Sequence, residues 1–488
     1  MKKNIFILKD RYLYNSNQNS LLYTPKPMLD LLKRDPSHPD PKSDQTNSDE
    51  AVYYSRKINF LKKHGLLDLE ASEPEMDTMK PEIIANELAN IQQILFEVTD
   101  ACNLKCKYCG YGEFYGNHDD RESKFLQMNE VEKLFQYLIP YLTSPQNLSI
   151  DQPVFISFYG GEPLLNIKLI KSVVSYIENL DLPHLKFVYS MTTNGILLDK
   201  EIDYLVEKKF HLLISLDGNE YNNSYRVDHQ NQNSFPKLFR NIQHVKNTYT
   251  EYFEKYIEFN SVLHNRNSVE ELTSFIHNEF NKIPIIGELN TSGIAKEKQE
   301  EFNRMYKEEN ESLLSSKHPN SLMNKRFLKA SPIKNLGIFL YERSNNFFHD
   351  YNDLITAGKK QKKLPTGTCV PFSKKIFVTV NGRILPCERI GHNFTLGNIT
   401  DKGVEMDLEQ IADKYNNYYR KLNNQCSQCY NISKCGQCIF NIENLETKPI
   451  CKDFIIEKSM AHYLSEQISL MEEKPELYSK ITKELIFQ

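Results

Sequence analysis

The sequence predicts an α/β fold, a parallel sheet with helices packed outside it, either open or barrel-like. Three observations predict it. From about residue 90, apolar runs alternate with amphipathic helical stretches. Polar motifs follow successive runs, at the carboxyl ends where parallel sheets gather their ligands. The ten cysteines fall into two groups, with none before Cys102 and none between Cys109 and Cys369.

The elements can be justified in order. At the amino terminus, residues 5–8, 12–14 and 21–23 alternate apolar and polar side chains and read as three short strands, with residues 15–19 as a turn. Residues 28–32 have helical spacing. Residues 35–50 are rich in Asp, Pro, Ser and Asn without an apolar anchor, which predicts a flexible loop. Residues 52–67 resume a helical pattern that Gly65 would cap. The strands of the sheet are predicted at 94–98, 154–158, 186–191, 212–216, 256–263 and 283–289. Helices at 130–142, 167–180, 200–208 and 235–246 separate them. Residues 296–345 are charged and helical in character. After Pro365 the chain reads as rich in loops and cysteines, with a hairpin (376–380 and 383–385) turning at Asn381-Gly382. An amphipathic helix is predicted at 453–472.

Bulk properties narrow the class. The 488 residues are 40% hydrophobic and 25% charged, the usual mix for a globular protein with more than one domain. A net charge of −4 gives no general attraction to nucleic acid. The apolar run near Met1 is too short for a signal peptide, and no stretch approaches the ~20 apolar residues of a membrane span. A cytoplasmic location is the expectation. In a reducing compartment, two tight cysteine groups suggest metal sites rather than disulfides.

Cys102, Cys106 and Cys109 lie within eight positions, directly after the first strand of the sheet. Three thiolates on one loop can hold three irons of a [4Fe–4S] cube and leave the fourth open to a substrate or cosubstrate. A partial zinc site is the plainer reading, with His118 as the one nearby candidate for a fourth ligand.

The spacing of this triad, with aromatic Tyr108 before the last cysteine, resembles the signature of the radical S-adenosylmethionine (SAM) superfamily. Further motifs follow in that family's order. Tyr159-Gly160-Gly161-Glu162-Pro163 resembles its glycine-rich segment, which meets the methionine amino group; taken alone it is a strand-to-helix turn. The resemblance assigns Asn194 and Ser215 to the SAM pocket, and Arg226 to the cosubstrate carboxylate. It implies a partial (β/α)6 barrel over residues 90–295. It also implies that the open iron chelates SAM, whose reductive cleavage yields a 5′-deoxyadenosyl radical.

Seven cysteines remain: Cys369, Cys387, Cys426, Cys429, Cys435, Cys438 and Cys451. By spacing alone, a zinc ribbon competes with iron–sulfur. The layout resembles the SPASM domain of radical SAM enzymes that modify peptides and proteins, which places that domain at 366–488. The resemblance gives one auxiliary cluster to Cys426, Cys429, Cys435 and Cys451, and a second to Cys369, Cys387 and Cys438, for three clusters in all. The Cys-x-x-Cys spacing at Cys435 and Cys438 departs from the usual three intervening residues. No eighth cysteine is present to close the second cluster, as it is in sulfatase maturases. Leu396-Gly397-Asn398-Ile399 fits the turn after the domain's hairpin. Glu388 stands where sulfatase maturases carry a proposed general base, and pairing with Arg389 or Arg383 is the alternative.

Residues 1–75 resemble the winged-helix element that grips the leader of a precursor peptide as an added strand, and 296–365 would be a helical bridge. The resemblance thus implies a maturase of ribosomally made peptides, forming a thioether or carbon crosslink, with a ferredoxin or flavodoxin as electron donor. The alternatives are an anaerobic sulfatase-maturing enzyme that makes formylglycine, and a non-catalytic zinc-binding peptide scaffold.

Overall fold

A computed structural model describes residues 5–16, 19–33, 49–64, 67, 77–148, 152–344 and 364–484. The expected loop at 35–50 lies outside the described residues except for Asp49 and Glu50, which begin a helix. Gly65 also lies outside them. The chain divides into two compact units. The larger comprises residues 79–326 and 369–416, and the smaller comprises 1–78, 327–368 and 417–488. That division falls inside the charged 296–345 stretch, which forms short helices such as Gln299–Met305 and Pro319–Arg326.

The smaller unit begins with an antiparallel sheet of β1 (Ile5–Leu8), β2 (Tyr12–Asn15) and β3 (Ser20–Tyr23) in that order. The helices Lys26–Lys33 and Asp49–Lys63 cover it, burying Leu13, Met28, Ile58 and Leu67 together. Phe6 meets the ring of Tyr430 edge-on at 5.5 Å, so this sheet and the carboxy-terminal cysteine segment share one core.

The larger unit is organised by six parallel strands: β4 (Gln93–Thr99), β5 (Val154–Gly160), β6 (Phe187–Thr193), β7 (His211–Ser215), β8 (Ile257–Val262) and β9 (Ile285–Gly287). Each predicted strand is found, displaced by at most a few residues. Helices such as Met128–Leu142 and Ile167–Glu178 connect them, as the alternation requires. The strands read as near-continuous apolar runs because both faces are covered. Phe96, Ile156, Phe158 and Ile214 are fully buried, each side chain contributing ~1.5–3 kcal/mol.

Four further strands extend this sheet beyond β4: β10 (Ile376–Val378), β11 (Arg383–Leu385), β12 (Gly397–Thr400) and β13 (Gly403–Glu405). β10 pairs parallel to β4, so Ile94 stands between Ile376 and Ile156. The sequence between Leu396 and Ile399, expected as a turn, is instead mostly β12, antiparallel to β11. The hairpin also differs in its loop. Gly382 N–H donates to Thr379 O (2.9 Å) and Gly382 has φ +73°, a turn closed by a left-handed glycine rather than a two-residue Asn-Gly turn. The largest departure is the helix Leu408–Cys426, nineteen residues in a region expected to be loop-rich.

Candidate active site

The cysteine loop leaves the carboxyl end of β4, and three neighbouring strand ends surround it. The glycines of the Gly160-Gly161 motif are required by contact with this loop. Gly160 has φ +127°, and a Cβ there would stand 2.1 Å from Thr99 O. A Cβ on Gly161 would stand 2.0 Å from Ala101 O. The backbones are joined by Gly161 N–H to Thr99 O (2.8 Å) and Glu162 N–H to Ala101 O (2.9 Å). Pro163 opens a short 3-10 helix, as expected of the first helical position.

Glu162 turns its side chain into the protein. Its carboxylate is fully buried and accepts from Thr193 Oγ1 (2.7 Å), Asn194 N (2.8 Å) and Leu164 N (3.1 Å). Burial outweighs these donors and pushes it up to about 7. Its work is to tie the end of β6 to the glycine motif. Asn194, held there, donates through Nδ2 to Asn103 Oδ1 (2.7 Å) and towards Cys102 Sγ (3.8 Å). Ser215 ends β7 and is buried.

The three thiols are desolvated together. Burial pushes Cys102 up to about 11 and Cys106 up to about 12, and Cys109 adds to both. As free thiols Cys102 and Cys106 would stay protonated at neutral pH. Leu104 N–H donates to Cys102 Sγ (3.4 Å), and Arg121 Nη2 to Cys109 Sγ (3.4 Å). Soft sulfur donors, dry surroundings and N–H groups aimed at sulfur fit an iron–sulfur cluster, whose iron charge replaces the protons. Among the described residues, no three His, Cys, Asp or Glu side chains converge as the ligands of one metal ion do. Thiolates of a cube each bond a different iron and stand further apart. His118 packs against Tyr111 and His392 (ring centroids 5.1 and 5.0 Å).

Arg226 has a partner within the protein. Its guanidinium forks onto Asp217, Nε to Oδ2 at 2.9 Å and Nη2 to Oδ1 at 3.2 Å, with both side chains buried. Val262 N–H (2.8 Å) and the Tyr108 hydroxyl also donate to this carboxylate, and His264 Nε2 lies 3.9 Å away. Burial opposes the Asp217 charge, but Arg226 and His264 hold its carboxyl down, to about 2. Thus much of the Arg226 charge is compensated inside the protein, and Tyr108 points its hydroxyl into this network. Asp217 was visible in Ser215-Leu216-Asp217-Gly218, but nothing in the sequence marked it as the partner of Arg226 or Tyr108.

Glu388 is taken by Lys375 (Nζ to Oε2, 3.1 Å), a partner the sequence reading did not consider; Arg389 is 3.7 Å away and Arg383 binds Asp119 instead (2.9 Å). Burial pushes the Glu388 carboxyl up, and Lys375 more than offsets it, leaving it below the usual range. A carboxylate so stabilised is a weak base.

In the smaller unit a second set assembles. Cys426 ends the helix Leu408–Cys426, and Cys429 N–H bonds back to its carbonyl (3.0 Å). Burial pushes Cys426 up to about 12, and Cys435, Cys429 and Cys451 each add to the effect, so these thiols lie within electrostatic reach of Cys426. Asn431 N–H and Ile455 N–H donate to Cys429 Sγ at 3.4 and 3.3 Å, the pattern seen at the triad. Cys438 lies in the smaller unit, and Cys369 and Cys387 in the larger.

Comparison with known proteins agrees with this chemistry. Residues 96–277 match the model of the Radical SAM superfamily, and residues 369–438 that of SPASM, an iron–sulfur cluster-binding domain. The chain is 29% identical over 184 residues to the radical SAM cyclopropyl synthase TigE of Paramaledivibacter caminithermalis, covering 36% of this chain but only 35% of that protein. It is 25% identical over 386 residues to a cysteine-type anaerobic sulfatase-maturating enzyme of Clostridium perfringens, covering 73% of this chain and 92% of that one. A solved structure of native anSMEcpe with bound AdoMet and Kp18Cys peptide shares the fold at TM-score 0.50 and 18% identity, covering 80% of this chain and 99% of that chain. The chain is an enzyme of the radical SAM superfamily. It carries a SPASM iron–sulfur cluster-binding domain beside the radical SAM domain, which gives [4Fe–4S] clusters and SAM as its cofactors. No helix among the described residues is long and apolar enough to cross a membrane.

Proposed function

We propose that the chain modifies a ribosomally made precursor peptide, removing hydrogen from a substrate carbon so that a thioether or carbon crosslink forms. The observation that carries this reading is the second thiol set, Cys426, Cys429, Cys435 and Cys451, standing apart from the triad in a SPASM-domain chain. When bound, the SAM-binding cluster supplies the radical that starts the reaction. Cys102, Cys106 and Cys109 would hold that cluster. Asn194, Ser215, Gly160 and Gly161, at the ends of β5 to β7, would wall the SAM pocket. Tyr108, Glu162, Pro163 and Arg226 would support that wall from behind, a positioning role consistent with their internal bonds. Cys369, Cys387 and Cys438 would hold a second auxiliary cluster, and Cys426, Cys429, Cys435 and Cys451 the first. Residues 1–75 would grip the leader, with the edge of the β1–β3 sheet as docking strand. A ferredoxin or flavodoxin in the cytoplasm would supply the electron.

The match across 92% of a sulfatase-maturating enzyme supports formylglycine formation as the second reading. Co-expression with small peptides encoded beside the chain's own gene, followed by mass spectrometry, separates the two. A crosslink appears as loss of a pair of hydrogens. Formylglycine formation on a sulfatase cysteine oxidises the thiol carbon by two electrons, releasing sulfide and taking oxygen from water, so the peptide loses sulfur and two hydrogens and gains one oxygen; that mass change would overturn the first reading. Alanine at Cys102, Cys106 and Cys109 should abolish 5′-deoxyadenosine formation in either case.

A further inference from the structure

Three buried polar atoms without a hydrogen-bond partner belong to rings that pack together beside the cysteine triad: Tyr111 Oη, His118 Nδ1 and His392 Nε2. Buried polar groups in native proteins are nearly always satisfied, and each left unmade costs ~1–3 kcal/mol. The rings of Tyr111, His118 and His392 contact one another at 5.0 to 6.2 Å, and His392 N–H donates to Asn117 O (2.9 Å). Arg121 ties the group to the triad, stacking on Tyr111 (4.8 Å) while donating to Cys109 Sγ.

The side of the triad on which they lie excludes the SAM wall as their partner. Asn194 and Ser215 stand at the ends of β6 and β7. His392 follows β11, and Tyr111 reaches β10 through Tyr159, whose ring meets Phe377 at 6.5 Å. The group therefore lies on the β10–β11 side of Cys109, next to Tyr159, on which Glu388 also acts.

We propose that Tyr111, His118 and His392 form a polar pocket that takes an uncharged amide of the peptide substrate, from its backbone or an Asn or Gln side chain. This rests on the peptide-substrate reading above.

The chemistry of the lining sets the class. Asp119 backbone N–H donates to His392 Nδ1 (3.1 Å). A backbone N–H can only donate, so Nδ1 accepts and the neutral ring carries its proton on Nε2. The Asp119 carboxylate is 3.4 Å from the same nitrogen but is engaged by Arg383 (2.9 Å) and Asn381 (3.0 Å). Burial depresses both histidines, His118 to about 4, so both are uncharged at neutral pH. The pocket thus offers an N–H donor at His392 Nε2 and groups of either sense at Tyr111 and His118, one of which can accept. An amide, with one donor and one acceptor, satisfies such a set; the nearby charges are already engaged, Arg121 by Cys109 Sγ and Asp119 by Arg383 and Asn381.

The test uses reconstituted holoenzyme, SAM, a reductant and an mRNA-displayed library of randomised peptides. Modified peptides from wild type are then assayed singly with H392N and H392Q. Asparagine places its carbonyl near Nδ1 and keeps the Asp119 contact but lacks Nε2–H, whereas glutamine places an amide N–H near Nε2. H392N should raise the peptide KM by about tenfold with little change in kcat, and H392Q should recover most of that loss. Iron content equal to wild type confirms that each variant is folded. If H392N fails this control, His118→Phe, which keeps the ring against Tyr111, takes its place. An unchanged KM in the folded variant means that ordered water alone satisfies the pocket; this overturns the proposal and leaves the peptide reading intact. If wild type modifies no peptide in the library, the peptide reading fails, and the pocket proposal with it.

Discussion

Asp217 accepts bonds from Arg226, Val262 and Tyr108 within the core. Asp217→Asn would keep its shape and remove its charge, leaving a buried guanidinium without compensation. Loss of one partner of such a pair costs ~3–5 kcal/mol, and chemical denaturation of the anaerobically purified protein should show a drop of that order. Tyr108→Phe removes one hydrogen bond and should cost only ~1 kcal/mol. Glu97 gives a pH signature. It sits buried on β4, accepts from Val380 N–H (2.9 Å), and burial pushes it from 4.5 up to about 7. A carboxyl raised on folding stabilises most below its unfolded value. That contribution, on the order of 3 kcal/mol, is lost as pH rises from about 4.5 through 7. Unfolding midpoints should therefore fall between pH 5 and pH 8, and Glu97→Gln should flatten that slope. Sequence periodicity placed Glu97 in a strand but could not assign this behaviour, because its neighbours Val380 and Asp119 come from distant segments.

At the scale of elements, the parallel strands were legible because both faces are buried and each strand reads as an apolar run. The helix Leu408–Cys426 was not. Its buried stripe is Ile411, Ala412, Tyr415, Tyr418, Tyr419 and Leu422, at helical spacing, but three of the six are tyrosines interleaved with asparagine and charge. A search for aliphatic periodicity passes over it. The addition of β10 to β4 was equally hidden, because a parallel pairing between Ile376 and Ile94 leaves no local mark on either segment. The glycine motif shows the opposite case: the residues were found, and the structure corrected the reason for them. Gly161→Ala would drive a methyl group into the Ala101 carbonyl and displace the loop that begins the triad. Anaerobic reconstitution of this variant should give less iron per chain than wild type, with loss of the reduced SAM-binding cluster's electron paramagnetic resonance signal.

Across the whole molecule, the two groups of cysteines seen in the sequence do not map onto two separate units. The triad, Cys369 and Cys387 belong to the larger unit; Cys426, Cys429, Cys435, Cys438 and Cys451 belong to the smaller. Sequence order alone kept the seven later cysteines together, whereas the fold assigns the hairpin cysteine to the sheet that also carries the triad. Cys429, Cys435 and Cys451 act on Cys426, and the residues that perturb Cys102 and Cys106 all lie in the larger unit. The clusters they hold should accordingly be separable. Replacing Cys426 and Cys429 by alanine should lower the iron content by roughly a third, the share of one [4Fe–4S] cluster among three. The SAM-dependent change in the resonance of the first cluster should persist in that variant. Complete loss of iron on the Cys426 and Cys429 substitutions would show instead that the smaller unit's metal is needed to fold the larger, and zinc in place of the missing iron in wild type would return the carboxy-terminal set to a purely structural role.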